Sequence, residues 1–142
     1  MPGIVVGVDG SEHSQQVLEW AMKEAELKQA PLTVLAVHQV AGSYWTRSPI
    51  IYPADLPEQE KSRQAAEEAV SQAADRLGAA PASVTVRAVS GLPAQVLIDA
   101  SKDADLVVIG RRGGGGFAGL LMGSVSSQVS HHAACPVVVI PS

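Results

Sequence analysis

Short apolar runs alternate along this chain with longer stretches of helical period. Residues Ile4–Val8 (IVVGV) form an unbroken apolar run, which predicts a buried strand. Asp9-Gly10-Ser11 follows as a turn and helix cap. Val17, Leu18, Ala21, Met22 and Ala25 then recur on one helical face, with Glu19, Lys23 and Glu26 away from it, and Pro31 closes that helix. Leu32–His38 (LTVLAVH) is a second strand. Residues 39–59 hold Pro49, Pro53 and Pro57 with Tyr44, Trp45 and Tyr52, the makings of a long functional or mobile connection. Tyr44 and Trp45 read equally as a lid over a ligand or as a cover for the helix beneath. A helix over 58–77 is rich in Ala, Glu and Gln and ends at Gly78. Residues 83–89 alternate as a strand, and Pro93 opens a short helix with Val96, Leu97 and Ala100 inward. A fourth strand spans 105–109, a last helix 124–134, and a fifth strand Val137–Ile140.

The predicted order, strand and helix in strict alternation, implies one doubly wound α/β domain over residues 1–142. Its five-stranded parallel sheet has helices on both faces. The runs LVVI and VVVI agree, because strands buried on both faces read as continuous apolar segments. With 142 residues and 46% hydrophobic composition, the chain can bury one core. A net charge of −4 argues against general binding to nucleic acid, and Arg111-Arg112 is too small a patch to reverse that. The single cysteine, Cys135, excludes an internal disulfide framework and gives no metal-site spacing. No apolar run is long enough to span a bilayer, and the opening residues enter a strand pattern directly. A cytoplasmic location without a membrane partner is the expectation.

Open α/β sheets bind ligands beyond the carboxyl ends of their strands, where strand order reverses. Two loops at such ends carry suitable chemistry: Asp9-Gly10-Ser11 after the first strand, and the glycine-rich run Gly110-Arg-Arg-Gly113-Gly-Gly-Gly-Phe117 after the fourth. Glycine amides and a helix start predicted at Ser124 make a phosphate cradle, with Ser124 and Ser126 as natural caps. If the two strands are neighbours, Asp9 faces that cradle across one crevice, and apolar strand ends are left for a base. The run is not a Walker A loop, because no Lys-Ser/Thr pair follows its glycines. Residues 114–119 satisfy GxGxxG, yet no acidic residue stands about 20 positions on to hold a ribose.

Gly110-x2-Gly113-x9-Gly123-Ser124 resembles the nucleotide signature of the ATP-binding branch of the universal stress protein family. The likeness extends over IVVGVDGSEHS, VLAVH, DLVVIGRRG, GSVSSQV and CPVVVIP. It implies a sheet in order 3-2-1-4-5, which makes the first and fourth strands neighbours. It also implies that Gly110, Gly113, Gly123 and Ser124 contact phosphates, with Val125 and Ser126 beside them. Gly7, Val8, Asp9 and Val37 would surround adenine and ribose, and Ile109 and Arg112 complete the set. Arg112 departs from the family, where many members carry His or another residue. Gly114 to Gly116 exceed what the signature demands and read as loop mobility. ATP is the implied ligand, with Mg²⁺ held by its phosphates and Asp9. AMP and cyclic AMP fit the same base pocket and cradle. Val137, Val138, Val139 and Ile140 make an apolar edge that must be covered or paired, and the resemblance implies that it pairs with its twin across a two-fold axis as a homodimer.

Several residues have plainer readings beside these. Asp9 suits an Asx-turn or cap as well as a ribose contact. His131-His132 suits a helix C-terminus rather than a metal, and Cys135 a small packed side chain. His13 could border the site and His38 a strand end, without a visible carboxylate partner. No nucleophile with an adjacent base appears, which favours a nucleotide-dependent regulatory module over turnover. An enzyme attacking the α-phosphate of ATP would need a Ser-Gly-Gly-x-Asp-Ser type loop, and VDGSEHS lacks the double glycine. A nucleotide-free interaction module is the third reading.

Overall fold

The computed structural model describes residues 3–38, 56–79, 81, 83–111 and 120–141. Its elements run β1 (Ile4–Val8), α1 (Glu12–Lys28), β2 (Leu32–His38), α2 (Leu56–Leu77), β3 (Val84–Ser90), α3 (Pro93–Ser101), β4 (Leu106–Gly110), α4 (Leu120–His132) and β5 (Val137–Ile140). They form a five-stranded parallel sheet in the order β3-β2-β1-β4-β5, as the family resemblance implied.

Strand alternation divides the apolar residues between two cores. Ile4, Val6, Leu32, Val34, Leu106 and Val108 turn toward α1 and α2. Val5, Leu35, Val107 and Ile109 turn toward α3 and α4. Burial on both faces explains why these strands read as unbroken apolar runs. Helix α1 buries the face its periodicity marked: Val17, Leu18, Ala21, Met22 and Ala25 are all within the core. Glu19, assigned to the outer side, instead points at α2, where its carboxylate lies 3.3 Å from Arg76.

Several boundaries differ from the sequence reading. Helix α1 stops at Lys28, because Gln29 turns left-handed (φ 54°) and its N–H returns to Ala25 and Glu26, ahead of Pro31. Strands β3 and β4 lie one residue later than expected. Helix α2 begins at Leu56 and places Pro57 in its first turn, where a missing N–H costs little. Helix α4 begins at Leu120, one turn before Ser124, and ends at His132. Most of the 39–59 connection, with Tyr44, Trp45 and Tyr52, lies outside the described residues. Edge strand β5 is half-buried throughout, Val138 and Ile140 on the α1 face and Val137 and Val139 on the other. Among the described residues, no helix is long and apolar enough to cross a membrane.

Candidate functional site

Strand order reverses between β1 and β4, which pair in parallel from Ile4 opposite Leu106 to Val6 opposite Val108. Carried on by two residues, that register brings Val8 level with Gly110. The β1 and β4 exits therefore lie side by side at the carboxyl edge of the sheet.

The β1 exit carries a set of short-range hydrogen bonds. The Asp9 carboxylate accepts from the Ser11 N–H at 3.0 Å and from the Ser11 hydroxyl at 2.6 Å. Gly10 between them takes φ +85°, the left-handed conformation this Asx-turn requires. Ser11 is the N-cap of α1: its Oγ accepts from the Ser14 N–H at 3.1 Å, while the Ser14 hydroxyl donates back to the Ser11 carbonyl. The cap is thus Ser11, and Asp9 positions that cap from an exposed site.

Beside this turn opens a cavity of about 380 Å³ between α1 and α2. Val8, Leu18, Ala36 and Val37 make its apolar lining at the β1 and β2 ends, and Asp9 and Gln15 lie on its α1 side. Ala65, Ala66 and Ala69 line the α2 side together with Glu68 and Gln72. Small side chains on α2 hold that wall back, and the Gln15 amide bridges the helices by donating to the Ala69 carbonyl at 3.1 Å. Such a volume is in the range of small-ligand sites. Val8, Asp9 and Val37, which the sequence singled out, line this cavity; Gln15 and the α2 wall were not singled out, because their juxtaposition is made by tertiary packing.

The β4 exit is held by residues from elsewhere. The Arg111 N–H donates to the Ile140 carbonyl at 2.9 Å, and the Ser126 hydroxyl donates to the Arg111 carbonyl at 3.4 Å. His13 Nε2 lies 3.1 Å from the same Ile140 oxygen. A carbonyl can only accept, so that nitrogen carries the proton. A Cβ on Gly110 would stand 2.9 Å from the His13 ring and 3.3 Å from Val17, so glycine here makes room for α1.

The other predicted positions divide between backbone and core. A Cβ on Gly7 would stand 3.2 Å from a Leu97 methyl, so its missing side chain admits α3. Ile109 is buried in the core shared with α3 and α4, and Val125 packs against it half-buried. Gly123 and Ser124 fall inside the first turns of α4, so Ser124 does not occupy the cap position given to it. The helix runs back through Gly123 to Leu120, one turn ahead of the start expected at Ser124. Arg112, Gly113 and Gly114 to Gly116 lie outside the described residues. His131 donates from Nδ1 to the Ser127 carbonyl at 2.8 Å. Burial, then the Asp105 charge, pushes the Cys135 thiol up, opposed by a backbone hydrogen bond from Val107. Among the described residues, no cluster of His, Cys, Asp and Glu could hold a metal ion.

A doubly wound five-stranded parallel sheet with a cavity at the carboxyl ends of β1 and β2 places the chain among the open α/β sheet proteins. The model of the universal stress protein family matches residues 2–141, and the chain belongs to that family. It is 38% identical over 139 residues to a universal stress protein of Mycolicibacterium smegmatis, covering 97% of this chain and 47% of that protein. One from Mycobacterium tuberculosis is 38% identical over 141 residues, with the same coverage. The chain thus spans about half the length of the curated relatives it matches. Among solved structures, it resembles a universal stress protein in complex with cAMP (TM-score 0.67, 26% identity, 98% of this chain and 95% of that one). It also resembles the Archaeoglobus fulgidus universal stress protein in complex with dAMP (0.65, 26%, 99% and 98%). UspA from Lactobacillus plantarum is similar at TM-score 0.68 and 28% identity, covering 98% and 97%.

Proposed function

We propose that this chain binds an adenine nucleotide at the β1–β4 crevice and acts as a nucleotide-dependent regulatory module of the ATP-binding branch. The observation that carries this reading is the adjacency of the Asp9 turn and the Gly110 exit across the strand reversal, beside a cavity with both apolar and polar walls. Val8 and Val37 offer apolar surface for the base and Asp9 a carboxylate for ribose hydroxyls or for Mg²⁺ carried by the phosphates. Gly110, Gly113, Gly123 and Ser124 supply the phosphate side, with Val125 and Ser126 beside them. Gly7, Ile109 and Arg112 complete the set. The structures of relatives with cAMP and dAMP support the adenine assignment. They also give a second reading, in which AMP or cyclic AMP is the bound species.

Binding regulates only if the nucleotide has different affinities for two states of the protein. A second copy is the natural coupled partner: β5 leaves an apolar edge whose pairing across a two-fold axis would cover Val137, Val138, Val139 and Ile140. The unit proposed to do this is residues 1–142, working in the cytoplasm. Mass spectrometry identifies the nucleotide retained through purification, and calorimetry ranks ATP, AMP and cyclic AMP with and without Mg²⁺. A folded Gly113→Ala, Gly123→Ala double variant loses ATP binding; unchanged affinity would refute the cradle. Val138→Lys converts the dimer to a monomer by light scattering, and a persistent dimer would contradict the β5 interface.

A further inference from the structure

His13 stands one turn into the chain beyond Asp9, yet its polar contact lies 127 positions away at the end of β5. Its ring fills the space that a side chain at Gly110 would need, with Cδ2 and Nε2 both 2.9 Å from that Cβ position. Its Nε2–H and the Arg111 N–H converge on one acceptor, the Ile140 carbonyl, at 3.1 and 2.9 Å. Arg111 is in turn held from its carbonyl side by the Ser126 hydroxyl. A continuous chain of hydrogen bonds therefore joins α1, the end of β5, the first residue after β4 and α4.

We infer that His13 is a positioning residue for the phosphate side of the site: it acts through Gly110 and Ile140 to fix the path of the backbone leaving β4. This rests on the nucleotide reading above. The first glycine of the motif then serves α1 as well as a ligand, since any side chain there evicts the imidazole. Because Ile140 also ends the edge strand, the same contact ties the phosphate side to the surface proposed for dimerisation. A group whose removal disturbs only the β4 exit should affect the phosphates and not the base or ribose, which lie on the β1–β2 side.

His13→Phe keeps a ring over Gly110 and removes the donor; His13→Gln restores a donor at similar reach. In the full chain, His13→Phe weakens ATP binding about tenfold, as the loss of one positioning hydrogen bond allows, and leaves adenosine binding unchanged. His13→Gln recovers most of the ATP affinity. Equal losses for ATP and adenosine, or no loss for either, would overturn the inference. Amide exchange without ligand gives an independent reading: the Arg111 amide exchanges about tenfold faster in His13→Phe, while Val108 keeps its protection. Unaltered exchange at Arg111 refutes the positioning role whether or not a nucleotide binds. Failure of the wild-type chain to bind either ATP or adenosine overturns the nucleotide reading instead, and the ligand part of this inference with it.

Discussion

The β1 and β4 exits occupy equivalent places at the carboxyl end of one sheet, yet they are held in opposite ways. At β1, Asp9, Ser11 and Ser14 hydrogen-bond one another within six residues, and the turn hands the chain straight to a capped helix. At β4, Gly110 and Arg111 are fixed by His13, Ile140 and Ser126, which come from three other elements. A locally closed turn can present a carboxylate from a rigid base. An exit held by distant residues can report to them, because whatever moves it also moves the end of β5 and the first turn of α1.

The largest expected effect breaks the β4 arrangement. Gly110→Val forces its side chain into the His13 ring and Val17, whose atoms already stand 2.9 and 3.3 Å from the Cβ position. Overpacking together with loss of the His13 hydrogen bond costs about 3 kcal/mol in chemical denaturation. In a His13→Ala background the same substitution costs less than half as much, since the ring it displaces is gone. Full additivity of the two changes would mean that Gly110 is not matched to His13.

Gly10→Ala is the counterpart at the β1 exit, and its cost has another origin. Nothing lies within 4 Å of a Cβ at Gly10, but φ is +85°. The strain of holding an L-residue there costs about 1–2 kcal/mol, and it adds to His13→Ala within about 0.5 kcal/mol. Ser11→Ala ranks next, at about 1 kcal/mol for a lost N-cap. Combined with Asp9→Ala it costs less than the sum, because the Asp9 carboxylate is already deprived of its Ser11 partner. Thermal unfolding of the four-member cycle measures that coupling; simple additivity would show that the two side chains hold the turn separately.

The same division governs what the sequence made legible. The apolar runs Ile4–Val8 and Val137–Ile140, and the α1 face from Val17 to Ala25, are periodic signals that tertiary packing only confirms. The Asp9-Gly10-Ser11 turn was legible because its hydrogen bonds span two residues. Its cap was assigned to the right segment for the same reason. Gln15 bridging to Ala69 spans 54 residues and His13 to Ile140 spans 127, so no local pattern records either. The start of α4 was misplaced because Ser124 is a natural cap by residue type, whereas the helix begins one turn earlier, at Leu120. Gly7 was read as ligand-facing, yet its packing need is visible only once Leu97 of α3 is set against it.

Ser126 gives the smallest and most discriminating change. It is buried, and its hydroxyl reaches the Arg111 carbonyl at 3.4 Å, long for such a contact. Loss of that weak neutral hydrogen bond contributes about 0.5 kcal/mol to the stability cost of Ser126→Ala. The β4 exit would nevertheless lose the anchor on its carbonyl side while keeping the one on its N–H side. If distant residues hold this exit as a unit, Ser126→Ala and His13→Phe are coupled in ATP affinity although they differ in stability cost. If each anchor acts alone, their effects on affinity multiply independently, and the contrast with the short-range hydrogen bonds of the β1 turn is one of position only. Calorimetric titration of the two single variants and the double variant decides between these outcomes.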